Sequence, residues 1–141
     1  MRFQHLQYDY DLPDEWWQEA GMQTFVPMHR TYVSSIPSTF DEKLIEVAIE
    51  NLEPLLRKGS HGVFNDNSEF GTAHDRVLRI LRGFIEGAIL PPVKVTRLNS
   101  SYPLRYRLID GAHRTYCAIA AGYSHVPAVE VDDFFDTYPG S

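Results

Sequence analysis

The segment Tyr106–Val131, Y-R-L-I-D-G-A-H-R-T-Y-C-A-I-A-A-G-Y-S-H-V-P-A-V-E-V, constrains the fold more than any other part of the chain. It reads as strand, abrupt polar turn, helix, turn, strand. Tyr106–Ile109 is apolar and β-prone, Gly111–Ala121 has helical composition, Gly122 stops it, and Val126–Val131 is again a strand. At the first turn, Asp110-Gly111-Ala112-His113-Arg114 combines three things a phosphate site requires. A glycine lets backbone approach a ligand. A helix N-terminus supplies N–H groups and partial positive charge. An arginine supplies a planar fork of donors that matches phosphate geometry.

The same residues resemble the ParB/sulfiredoxin superfamily, whose hallmark is a G-x-x-R turn, often D-G-x-H-R, opening a helix. Ile109 to Arg114 carry the likeness, with Ala118, Ala121-Gly122 and Val126-Pro127 behind them. Upstream, Gly87-Ala88-Ile89-Leu90-Pro91-Pro92-Val93-Lys94-Val95 is similar to the family's entry into the preceding strand. The resemblance implies a compact ParB/sulfiredoxin-like α/β (α+β mixed) domain, a small mixed sheet flanked by helices. It implies a nucleotide ligand, ATP or CTP with Mg2+, bound by Asp110, Gly111, Ala112, His113 and Arg114. It also implies a nucleotide hydrolase or a small-molecule phosphotransferase, the alternatives being a non-catalytic protein-interaction module on the same fold or a nuclease-like protein. Ala112 stands where sulfiredoxins carry their catalytic cysteine, so sulfinic acid reduction is not expected. Cys117, inside the helix, reads as a small core residue.

At 141 residues the chain is read as one domain, with a core motif over 87–131 and residues 51–86 as a family-specific insertion. Single Cys117 excludes an intrachain disulfide framework, and the N-terminus lacks a signal peptide's apolar core, so a cytoplasmic protein is expected. No apolar run reaches the ~18 residues of a membrane span. The net charge of −6 disfavours general affinity for duplex DNA. The chain ends in the acidic Asp132–Ser141 without a helix-turn-helix unit, so only the family's nucleotide-binding module is expected.

Along the rest of the chain, residues 1–12 show no clear period. Leu12–Gly21 predicts a short helix, with Pro13 and two acids in its first turn and Gly21 after its end. Thr24–Val33 predicts a strand that Pro27 makes an edge or breaks. Apolar residues at 44, 45, 48, 49 and 52 predict a helix over 40–52, with Ser38 or Thr39 as cap. Lys58–Thr72 is a Gly/Asn/Asp/Ser-rich loop. A third helix is expected over 73–86. Val93–Leu98 and Tyr106–Ile109 are expected to form a hairpin.

Lys94, Arg107 and the 58–72 loop are candidates for the wall of the phosphate pocket, Arg107 sharing a face with Arg105. Arg76, Arg79 and Arg82 recur every three residues, and the reading preferred for them is a solvated helix face. A phosphoryl transfer needs an acid or base near the reacting oxygen, and Glu42, Glu69 and His113 are the candidates, with Asp41, Glu46 and Asp66 as further acids. Asp110 is read first as a cap for the helix, and second as a magnesium ligand. The histidine and cysteine spacings match no zinc motif. Adjacent Trp16 and Trp17 diverge by about 100° on a helix, so one of them is expected to be exposed and to mark a protein partner's surface. A nucleic-acid-processing protein is the remaining alternative.

Overall fold

β-Pairing around one buried strand organises the molecule. The computed structural model describes residues 1–37, 42–55, 62–64, 73–99, 101 and 103–132. Strand β4 (Val93–Arg97) and β5 (Tyr106–Asp110) form the expected antiparallel hairpin, Lys94 opposite Asp110 and Val95 opposite Leu108, with a bulge between Lys94 and Val95. Helix α3 (Ala112–Ala121) carries the chain to β6 (His125–Glu130), which lies parallel to β4. Strand β3 (Leu44–Ala48) pairs antiparallel with β6, giving the order β3-β6-β4-β5. Val93, Val95, Val126 and Ala128 are fully buried in the two central strands; β6 is apolar throughout Val126–Val129, whereas β4 exposes Lys94 and Arg97 beside its buried residues. A separate hairpin of β1 (Arg2–His5) and β2 (Tyr8–Asp11) packs against α3. The whole is a mixed α+β fold, in which the described residues form three α-helices, a four-stranded mixed sheet and a two-stranded antiparallel one.

Helix α1 (Asp14–Ala20) starts after Pro13 and ends at Gly21 in a left-handed cap, φ +84°. Helix α2 (Ala73–Glu86) buries Val77, Leu78, Ile80, Leu81 and Phe84 on one side and exposes Arg76, Arg79 and Arg82 on the other. It packs against both α1 and α3. Residues 73–86, read from sequence as part of an insertion, thus supply core: Phe84 stacks on Tyr32 at 5.5 Å and meets Tyr123 edge-on at 5.2 Å.

Two local expectations are corrected. The 40–52 helix does not form; Leu44–Ala48 is a strand, and Ile49–Asn51 a single 3-10 turn. Its stripe shares residues with the alternation of β-branched Ile45, Val47 and Ile49, and tertiary pairing decides between them. Val47, which the helical stripe leaves out, is 2% exposed, and Leu44, which it includes, is 39% exposed. The proposed caps Ser38 and Thr39 lie outside the described residues. Thr24–Val33 is not a strand either. After a 3-10 turn at Met22–Thr24 the backbone runs irregularly past Pro27, which lacks an N–H, and makes a single bridge, Ser34 with Leu90. Residues 1–12, without a clear period in sequence, form the β1–β2 hairpin, turning at Leu6 with φ +56°. No Asn-Gly or Asp-Gly marks this turn.

A buried polar network ties that hairpin down. His5 is 1% exposed. Its Nε2–H donates to the Ile49 carbonyl at 3.0 Å, so Nδ1 accepts from the Tyr116 hydroxyl, also at 3.0 Å. The Tyr116 oxygen in turn accepts from the Leu55 N–H at 2.7 Å and lies 3.3 Å from the Tyr10 hydroxyl, which reaches the Leu55 carbonyl at 3.2 Å. Three segments distant in sequence, the hairpin, residues 49–55 and α3, are thereby joined. Burial pushes the His5 pKa below its ordinary value, with the backbone bonds opposing. The folded chain therefore binds fewer protons than the unfolded chain. The contribution of His5 is complete above about pH 6.5 and is lost as pH falls below it. Thermal melts between pH 7.5 and 5.5 are expected to show a decline in Tm that His5→Gln flattens, with the variant about 1–3 kcal/mol less stable at pH 7.5. An unchanged slope would remove His5 as the cause.

Candidate functional site

Gly111 is where β5 becomes α3, and its geometry admits no other residue without strain. Its φ is +104°, and a Cβ there would lie 2.6 Å from Val93 Cγ1 and 3.1 Å from a terminal nitrogen of Arg114. The turn is thus pressed directly onto β4. Helix α3 begins with Gly111 as its N-cap, and no side chain caps it. Asp110 does not take the capping role expected of it: it ends β5 exposed, one residue too early. Thr115 N–H donates to the Gly111 carbonyl at 2.9 Å, so α3 opens at Gly111 and its N-terminal end lies at the turn.

The two basic side chains of the turn go different ways. The Arg114 guanidinium donates to the Pro92 carbonyl at 3.4 Å, while its Nε is buried with no hydrogen-bond partner. Beside it, Tyr32 donates to the Pro91 carbonyl at 2.6 Å. Burial raises the Tyr32 phenol well above its ordinary value, and the Arg114 charge works the other way. His113 donates from Nε2–H to the Val63 carbonyl at 2.8 Å and lies parallel to the Phe64 ring at 6.2 Å. The carbonyl accepts, so Nε2 carries a proton.

A cavity of about 510 Å³ opens over this turn. Asp110 to Arg114 form one wall, Arg76 and Arg79 of α2 another, and Leu55, Leu90 and Leu108 line the rest. Among the described residues, three arginines and one acid, Asp110, line it together with the first turn of α3. The volume falls within the range of small-molecule sites, ~300–1,000 Å³.

Five expected site residues, Asp110 to Arg114, are therefore together. Lys94 and Arg107 are not with them. Lys94 pairs with Asp110 across the ladder but is exposed and does not line the cavity. Arg107 bonds Glu53 at 3.2 Å beside a neighbouring hollow. Glu42 is exposed before β3, away from the cavity. Glu69, Asp66 and Asp41 lie outside the described residues, as does the 58–72 loop except for its 3-10 turn, Gly62–Phe64. Arg76 and Arg79, for which the sequence favours a solvated face, are exposed as that reading expects and also line the cavity. Their three-residue spacing was the available signal, but an arginine stripe faces solvent as readily as a ligand. Trp16 and Trp17 are both half-buried against the core, so neither forms the exposed surface expected of them. Cys117 is fully buried, and burial pushes its thiol pKa up, in keeping with a core residue.

Among the described residues no group of three metal-ligating side chains forms, and no helix is long and apolar enough to cross a membrane. Compared with protein-family models, curated proteins and solved structures, the chain matches none. Gly111→Ala is expected to cost about 2–5 kcal/mol, left-handed strain plus overpacking against Val93. Urea unfolding checks it, and Gly111→Ala and Gly87→Ala make a contrast: Gly87 has φ +67° with nothing within 4 Å of its would-be Cβ, leaving strain alone.

Proposed function

We propose that the chain is a ParB/sulfiredoxin-like protein that binds a nucleotide, or another phosphorylated ligand, in the cavity at Gly111–Arg114. The observation that carries this reading is convergence. Arg76 and Arg79, some 35 residues upstream of the G-x-x-R turn, line the same cavity as Arg114 and the first turn of α3. Arginine forks and backbone N–H groups are the two commonest phosphate ligands, and each supports the other here.

A magnesium ion fits this donor set as a passenger on the phosphates. Such an ion keeps its waters and takes one or two carboxylates, and Asp110 is the carboxylate at the cavity. The ion would balance phosphate charge there. The catalytic extension, nucleotide hydrolysis or phosphoryl transfer, assigns proton handling at the cavity to His113 or Asp110, because Glu42 is remote from it. The interaction-module reading loses its main support with Trp16 and Trp17 packed against the core.

Calorimetric titration with ATP, ADP, CTP and GTP, with and without magnesium, tests the proposal. Arg114→Ala and Arg79→Ala are each expected to weaken the bound nucleotide tenfold or more, about 1.4 kcal/mol. Lys94→Ala, outside the cavity, is expected to change it less than twofold. No binding under any condition would refute the reading, and so would equal effects of Lys94→Ala and Arg114→Ala.

A further inference from the structure

The cavity has a neighbour. A second hollow, of about 450 Å³, shares Leu55 and Leu108 as wall with the first, and its other walls include Tyr8, Glu53 and Arg107. Glu53 is held in place at both ends. Its N–H donates to the Tyr106 carbonyl at 2.8 Å, and its Oε1 accepts from Arg107 Nε at 3.2 Å. Its side chain still keeps 33% exposure. Arg107 and Gly111 are four residues apart along β5, roughly 13 Å at about 3.3 Å per residue. A phosphate ion cannot bridge that span, and a nucleotide can.

We propose that this second hollow is the base subsite of the phosphate cavity, and that the base it takes is guanine. The proposal rests on the nucleotide reading above. An ionised carboxylate is an acceptor only, with room for several donors on its two oxygens. Guanine is the base whose Watson–Crick edge offers two adjacent N–H donors, N1–H and the N2 amine. Adenine and cytosine each set a ring-nitrogen acceptor beside their amine, and that acceptor would face the Glu53 carboxylate repulsively. Uracil flanks its single N–H with two carbonyls. Arg107 holds the carboxylate in one orientation, which lowers the cost of ordering it on binding. Tyr8, Leu55 and Leu108 line the hollow, and an aromatic side chain is the platform on which a base stacks.

The test is titration of the full chain with inorganic tripolyphosphate, GTP, ATP and CTP at fixed magnesium, in wild type, Glu53→Gln, Tyr8→Ala and Arg114→Ala. GTP is expected to bind at least tenfold tighter than ATP and CTP. Glu53→Gln and Tyr8→Ala are each expected to weaken GTP by at least that factor while leaving tripolyphosphate unchanged, which also shows the variants are folded. Arg114→Ala is expected to weaken both. If tripolyphosphate binds through Arg114 but the three nucleotides bind alike, the guanine subsite is overturned and the phosphate site stands. The same holds if Glu53→Gln and Tyr8→Ala leave the GTP preference intact, or weaken tripolyphosphate as much as GTP. If neither tripolyphosphate nor any nucleotide binds, both readings fall together.

Discussion

The contact between the Gly111 backbone and the Val93 side chain is the point on which the rest of this structure turns. A Cβ at Gly111 would overlap Val93, so only a glycine lets β5 pass into α3 while lying flat on β4. That close approach sets the position of α3 against the sheet. It brings the first turn of α3 beside the Pro91-Pro92 entry to β4, where Arg114 and Tyr32 bond successive carbonyls. The left-handed φ at Gly111 ends one element and starts the next within a single residue, so the helix N-terminus opens directly at the sheet's edge. Ligand sites collect at such places because rigid backbone, rather than mobile side chains, presents the donors.

The cavity needs a second side, and two features unconnected to the turn provide it. Helix α2 docks on α3 through its apolar stripe, which leaves Arg76 and Arg79 on the rim facing the turn. The network of His5, Tyr10 and Tyr116 fixes Leu55 by both its N–H and its carbonyl. Leu55 then lines the cavity and its neighbour alike. A buried hydrogen-bonded cluster that holds a wall residue by its backbone is a stiff arrangement, since each member loses its partner if the wall moves. The N-terminal hairpin, distant in sequence from Gly111–Arg114, is in this way part of the site's support.

Much of this was legible in the sequence, and unevenly so. The β4–β5 hairpin, α3, β6, α1 and α2 follow from local signals: prolines and acids before helices, glycines after them, and β-branched runs. Gly111 to Arg114 stand out because a turn that needs glycine announces itself. The segment 40–52 misled for a definable reason. Ile45, Val47 and Ile49 satisfy a period of two while 44, 45, 48, 49 and 52 satisfy the helical one, and only the presence of β6 as a pairing partner resolves the conflict. The β1–β2 turn at Leu6 was hidden because a non-glycine residue takes the left-handed conformation there.

By itself the sequence determined α1, α2, α3, the β4–β5 hairpin, β6 and the glycine turn, because caps, turns and periodicity act over a few residues. Which charges join the turn was decided by tertiary structure. Lys94 neighbours Asp110 across the ladder yet is exposed and outside the cavity, while Arg76 and Arg79 reach it from another helix. Side chains on adjacent strands can share a register without sharing a cavity, whereas helix packing brings together residues that nothing in their local sequence relates. Long-range proximity depends on how apolar faces dock, and a linear pattern of residues does not specify which faces meet.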